Sequence, residues 1–346
     1  MYEETTEKLL EFISSSPTAF HAAETIRKRF LEEGFTELKE EEHWELEKGG
    51  KYFVMRNHSA IIGFSIPMND SGRYHIIASH SDSPSFKIKE NPEMSVGGAY
   101  VKLNVERYGG MILSTWFDRP LSVAGRMIVR KNGKILEKLI NIDRDLVMIP
   151  SLAIHMNRDI NGGYHYNVQK DMLPLYSGNG EKGKFLDMIA AEAEVRPEDV
   201  LGHDLFLYNR MSGTVWGARN EFVSSPRLDD LQCTFASLEG FLQADKKKNI
   251  AVHCVLDNEE VGSTTRQGAA SAFLKDVLYR INLALGGDHE SYLMALAESF
   301  MISADNAHAL HPNYTDKSDP VNRPTMNGGI VIKYNANQKY CTDGIS

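Results

Sequence analysis

The sequence predicts an α/β protein: a mainly parallel sheet flanked by helices, interrupted by an inserted β-rich domain. Three observations carry this. After Asp229, strand-like apolar runs alternate with helical segments, and such alternation implies a mainly parallel sheet with helices on both faces. From about Glu90 the pattern turns to alternating and β-branched segments separated by turn signals. Four segments end in metal-ligand residue types, namely Ile76–Asp82, Ser225–Asp230, Ile250–Glu260 and Phe300–Asp305. Open α/β sheets place their sites at the C-terminal ends of strands.

The elements follow in order. Residues 5–14 and 18–33 read as amphipathic helices broken at Ser16-Pro17, with Thr18 as N-cap and Gly34 as stop. Tyr52–Arg56, Ala60–Phe64 and Tyr74–Ser79 read as strands, the last suited to burial on both faces. Tyr100–Val105, Leu121–Val129 and Lys134–Ile140 follow as strands, with Asn132-Gly133 as a hairpin turn. Ile149 to Gly183 is loop-rich, Phe185–Glu194 a helix and Asp204–Tyr208 a strand. Leu231–Ala244 then predicts a helix, Ile250–Leu256 a strand, Ala269–Leu285 a helix and Ser291–Ser299 a short helix. Phe300–Ala304 and Gly329–Tyr334 predict the last strands. The expected domains are 1–90 joined with 228–346, and 91–227 inserted between them.

Composition narrows the function. The 346 residues exceed one small core. A net charge of −9 without any Lys/Arg stripe argues against a nucleic-acid partner. The acidic, polar stretch Met1 to Leu10 reads as neither a signal nor a transit peptide, and no apolar run approaches the roughly 20 residues that span a bilayer. Cys233, Cys254 and Cys341 are few and scattered, which fits a reducing cytoplasm rather than a disulfide framework.

The strongest chemical signal is Asp257-Asn258-Glu259-Glu260-Val261-Gly262-Ser263. Adjacent carboxylates at the end of an apolar strand repel and resist desolvation, so they call for a compensating cation. Glu260 would hold a metal and Glu259 would move a proton between water and a leaving amine. The plainer alternative is a solvated acidic loop. In His80-Ser81-Asp82, Asp82 would fix the tautomer of a ligating His80; a strand-end histidine before an Asp-Ser-Pro turn is the alternative. Asp229 would bridge two metals or cap the following helix, and Asp230 would cap or brace. Asp305 opens a segment crowded with candidates, where His308 and His311 could share a helical face and bind metal or substrate. Together these point to a hydrolase with two divalent metal ions; such donor sets accept Zn, Co or Mn.

With these residues in view, the chain resembles the aspartyl aminopeptidase family of dizinc metallopeptidases, along essentially its whole length. The resemblance rests on Ser16–His21, Gly49–Phe53, Arg56-Asn57, His80–Pro84, Trp116–Arg119, Ala124–Arg126, Arg227–Asp229, Asp257–Ser263 and Ala304–Asn313. It implies a zinc-peptidase-like catalytic domain, a β-rich dimerisation domain and a homo-oligomer, a tetrahedral dodecamer. It implies that His80 and Asp305 bind one zinc, that Asp229 bridges and that Glu260 binds the second. Asp82 would then orient His80, and Glu259 would be the general base. His155 would reach a neighbour's site, and Lys333, with His308 nearby, would meet the substrate. The implied substrates are peptides with a free N-terminus, preferably Asp or Glu. One departure stands out. The family takes a further ligand from a histidine in a Met-His-Ser-like segment near its C-terminus, and the sequence through Ser346 has none. The expectation is a C-terminally truncated bacterial member; taken as complete, it would hold its second metal weakly. A deacylase of the same class and a non-catalytic metal-binding shell are the rival readings.

Overall fold

The structure, a computed structural model, describes residues 2–69, 72–334, 336, 342 and 343. Cys341 and Gly344-Ile345-Ser346 lie outside them. The chain begins with α1 (Tyr2–Ser14), α2 (Ala19–Glu32), β1 (Thr36–Leu38), β2 (Lys51–Arg56), β3 (Ala60–Ser65) and β4 (Tyr74–His80). The middle contributes β5 (Ser85–Val96), β6 (Tyr100–Tyr108), β7 (Leu121–Lys131), β8 (Lys134–Asn141), α3 (Val168–Asp171), β9 (Leu175–Gly178), α4 (Phe185–Glu192), β10 (Val200–Asn209), β11 (Thr214–Trp216) and β12 (Phe222–Ser224). The last part holds α5 (Leu228–Gln243), β13 (Ile250–Leu256), α6 (Phe273–Ala284), α7 (His289–Ala297) and β14 (Phe300–Ser303).

The first sheet has the order β1-β2-β3-β13-β4-β14. Its pairings β1–β2, β13–β4 and β4–β14 are parallel, while β3 runs antiparallel to both β2 and β13. Strand β3 is buried at every position, as its apolar sequence requires at the centre of a sheet covered on both faces. One face packs Phe12, Ile26, Phe30, Phe235 and Leu238 from α1, α2 and α5 against Phe53, Ile61 and Val255. The other packs Phe273, Val277, Leu278 and Ile281 of α6 and Tyr292 of α7 against Val54, Ile62, Ile76 and Cys254. The apolar residues Phe20, Ala23, Ile26 and Phe30 recur along one stripe of α2, which is what buries it.

The second sheet, in the order β8-β7-β10-β5-β6-β9, is antiparallel and has its own core. The Asn132-Gly133 turn is formed with φ of 53° and 74° and closes the β7–β8 hairpin. Arg126 of β7 fastens this sheet to the first layer. It donates to Asp204 and Glu137 on its own side and to the Asn57 carbonyl at 2.9 Å across the junction. Its guanidinium also lies over the Phe20 ring.

Several expectations are corrected. β1 and β5 are strands the sequence patterns do not reveal; β1 has three residues, and β5 carries a register break between Ile88 and Glu93 that disrupts its alternation. The predicted helix Ala269–Leu285 starts only at Phe273, whose N–H is taken by the Ser271 hydroxyl. Thr18 occupies the N-cap position of α2, but its hydroxyl pairs with His21 Nδ1 at 2.8 Å instead of capping. Gly329–Tyr334 is not a strand; no described strand edge pairs with it, and Ile330, Ile332 and Tyr334 stand exposed. His308 and His311 share no helical face, because 304–314 is irregular. His311 Nδ1 instead accepts the Asn313 N–H.

Candidate active site

Three adjacent parallel strands, β13, β4 and β14, end side by side. Leu256 pairs with His80, and Ser303 with Ala78. The residues that follow each strand therefore converge, while α5 enters from the side. Near its start, after Leu228, Asp229 and Asp230 are not helical and are joined by a cis peptide bond; regular helix follows from Leu231. The Glu259–Val261 turn follows β13, opened by Asn258 at φ 64° and closed by Gly262 at φ 98°.

Ligand atoms of His80, Asp229, Asp230 and Asp305 lie within 4.8 Å of one another. His80 Nε2 stands 3.6 Å from Asp229 Oδ1, 4.0 Å from Asp230 Oδ2 and 4.0 Å from Glu259 Oε2. Its other nitrogen, Nδ1, lies 3.1 Å from the Asp82 carbonyl and 3.3 Å from Asp82 Oδ1. Asp82 is buried and also accepts the N–H groups of Glu259 and Glu260, each at 3.1 Å. Lys333 Nζ stands 3.6 Å from Asp305 Oδ2.

The electrostatics show a site short of positive charge. Burial opposes charge on His80, but the Asp229 and Asp82 bonds and the nearby carboxylates overcome it and push its pKa up to about 11. Burial pushes Asp230 up to about 7, against the pull of Cys233 and His80. Glu260 rises to about 7 through burial and the charges of Asp82, Asp229 and Glu259. Asp82 is held low: burial acts against it, and the bonds from His80, Tyr108 and the Glu260 N–H prevail. Shifts of this sign mark a place where a cation is electrostatically favoured. The buried Asp230 Oδ1, moreover, has no hydrogen-bond partner of normal geometry. One imidazole and three carboxylates, with an orphaned carboxylate oxygen among them, suit a divalent metal such as zinc.

The structure thus gathers His80, Asp229 and Asp305 with Glu259 beside them, and Asp82 behind His80. Glu260 sits next to this group but outside the four-residue cluster. Asp230, read from sequence as a brace, both braces the His80 N–H at 3.2 Å and joins the cluster. Adjacency to Asp229 was its only signal. His155, in the exposed Ile154–Met156 turn, and exposed His308 are not brought to the group. A cavity of about 940 Å³ opens beside the cluster toward the second sheet, lined by Asp82, Asp229, Tyr108, Trp116, Phe206 and Arg227 among others.

Known proteins resemble this chain in sequence and fold. The family model for aminopeptidase I zinc metalloproteases (M18) matches residues 12–346. A Clostridium acetobutylicum protein named "Probable M18 family aminopeptidase 2" is 49% identical over 347 residues, 98% of this chain and 80% of that protein. The solved chain from the complex of Ape4 and Nbr1 superposes with a TM-score of 0.93 at 35% identity, over 99% of this chain and 70% of that one. The S. cerevisiae mApe1 dodecamer superposes with a TM-score of 0.81 at 26% identity, over 94% of this chain and 76% of that one. A match to the family model along nearly the whole chain, on a fold that gathers a histidine and carboxylates at its strand ends, places this protein in the M18 family of zinc metallo-aminopeptidases.

Proposed function

We propose that the protein removes single N-terminal residues, preferably Asp or Glu, from peptides with a free α-amine, using two divalent ions. The observation that carries this is the convergence of His80, Asp229, Asp230 and Asp305 within 4.8 Å, with Glu259 Oε2 4.0 Å from His80. His80 and Asp305 would hold one zinc, Asp229 would bridge, and Glu260 would hold the second. When bound, the ions supply Lewis acidity that lowers the pKa of water and polarises the scissile carbonyl.

The chain's own residues do the rest. Asp82 holds the His80 ring by its Nδ1 side, leaving Nε2 turned to the carboxylates. Glu259 takes a proton from the attacking water and returns it to the leaving amine. Its side chain is half exposed, which suits a group that exchanges protons with substrate. Lys333, beside Asp305, supplies positive charge for an acidic side chain of the substrate. His308 lies in the segment that follows Asp305 and would line the substrate's approach.

The solved S. cerevisiae relative is a dodecamer, and a homo-oligomer is proposed here as well. Residues 91–227, which hold most of the second sheet, would form the dimerisation domain, and exposed His155 would reach a neighbouring subunit's site. The free thiols of Cys233 and Cys254 fit a reducing cytoplasm.

The test is hydrolysis of Asp-, Glu- and Leu-terminated chromogenic peptides, each with free and acetylated N-termini. Cleavage of free-amine Asp and Glu substrates alone is expected. Cleavage of the acetylated peptides instead would favour a deacylase and sink this reading. Glu259→Gln should lower kcat by at least ~10²-fold while metal content is retained; retained turnover would remove Glu259 from the base role.

A further inference from the structure

The second sheet does more than build surface. Tyr108 is the last residue of β6, in that sheet, yet its hydroxyl donates to Asp82 Oδ2 at 2.7 Å. The same hydroxyl accepts from Asn258 Nδ2 at 2.8 Å. Asn258 is anchored in turn, its Oδ1 accepting from Thr265 Oγ1 at 2.7 Å and Gln267 Nε2 at 2.8 Å. The Tyr108 ring is held by an edge contact to Phe206 of β10, 5.5 Å between centroids. Asp82 is thus a hub with four partners. It meets His80 Nδ1, the Glu259 and Glu260 N–H groups, and Tyr108. Three of these belong to the candidate metal site; the fourth comes from the other sheet.

We infer that Tyr108 is a positioning residue through which the second sheet orients the metal site, acting on Asp82 and so on His80 and the Glu259–Glu260 turn. Each Asp82 oxygen has several demands on it. Oδ1 serves His80 and the Glu259 N–H, and Oδ2 serves the Glu260 N–H and Tyr108. Removing the Tyr108 donor frees the carboxylate to rotate about its Cβ–Cγ bond. Rotation loosens the His80 ring and the turn together, because both hang on the same group. Removing the hydroxyl also leaves Asn258 Nδ2 without this acceptor at the residue that opens the turn. Groups that orient a metal ligand typically change affinity or activity by 10–100-fold when removed. The inference rests on the metallo-aminopeptidase reading for its catalytic part and on the geometry alone for its metal-binding part.

The experiment is Tyr108→Phe, which keeps the ring and its Phe206 contact. Zinc affinity is measured by competition with a chelator, alongside kcat, KM and the Tm of the metal-free protein. The expected result is zinc affinity weakened about tenfold or more, kcat reduced by a similar factor, KM within about twofold and metal-free Tm nearly unchanged. Unchanged zinc affinity overturns the inference whatever happens to activity. A large fall in metal-free Tm with proportionate loss of binding also overturns it, since the role would then be structural. If the unmodified protein binds zinc but cleaves no free-amine peptide, the proposed function fails. The affinity comparison still decides the role of Tyr108.

Discussion

At the scale of single residues, the site is built by small groups that permit close approach. Gly109 follows Tyr108 with φ 73°, and a Cβ built on it would meet Glu260 Cβ at 2.9 Å and Oε2 at 3.1 Å. Glycine there lets the second sheet press against the glutamate turn without a clash. Gly109→Ala is therefore expected to displace Glu260, lowering kcat at least tenfold, about 1.4 kcal/mol of transition-state stabilisation. Its Tm should fall only slightly; steady-state kinetics beside thermal melts checks this, and an unchanged kcat would mean that Glu260 tolerates the shift. The sequence shows Gly109-Gly110 as a turn signal, but nothing in it reveals that Glu260 lies opposite. The same holds for Asp82 and Tyr108, which stand 26 residues apart in sequence and meet at 2.7 Å.

At the scale of elements, packing is specified by complementary size. Phe30 of α2 is wedged among Phe35, Phe53, Phe241 and His253. Its ring reaches the sheet over Gly63 of β3, where a Cβ would come within 2.4 Å of the ring. Gly63→Ala is expected to destabilise the fold by about 1–3 kcal/mol, the usual range for overpacking a fixed core. Denaturant midpoints at constant m-value measure it, and no loss would show that α2 slides freely. Helix α2 was legible from its helical apolar stripe, and strands β3, β4 and β13 from short, nearly continuous apolar runs suited to burial on both faces. Strand β5 was not, since its register break splits the alternation, and Gly329–Tyr334 misled because β-branched residues alone do not supply a pairing partner.

At the scale of the whole molecule, two buried histidines contribute to the acid side of the stability profile. Burial holds His253 down at about 3, and burial with the Arg227 and Lys28 charges holds His21 down at about 4. Free imidazole titrates near 6.5. Below that pH the unfolded chain takes protons that these folded sites refuse. Their contribution to stability is complete above about pH 6.5 and is lost as pH falls toward 4 and 3. These two sites lower Tm between pH 6.5 and 4, while Asp230 and Glu260, raised to about 7 by burial, oppose that fall because the folded state takes up their protons first. His253→Gln should lower Tm at pH 7.5, since it disturbs the Phe30 and Phe241 ring contacts, yet make the acid decline shallower. An acid slope identical to that of the unmodified protein would exclude His253 as a contributor.

Local pattern in the sequence specifies the α/β class, the order of most elements and the β4, β13 and β14 ends that meet at the candidate site; the expected fourth strand end, at Asp229, is instead the start of α5. Periodicity and residue type are local properties, and they suffice for those. Tertiary structure alone decided which strand ends adjoin, and so which carboxylates share a site. It placed β13 between β3 and β4, brought Asp230 into the cluster and left His155 and His308 outside it. It also carried Tyr108 from a second sheet onto Asp82. Such meetings depend on the pairing of segments far apart in the chain, and local pattern carries no record of that pairing.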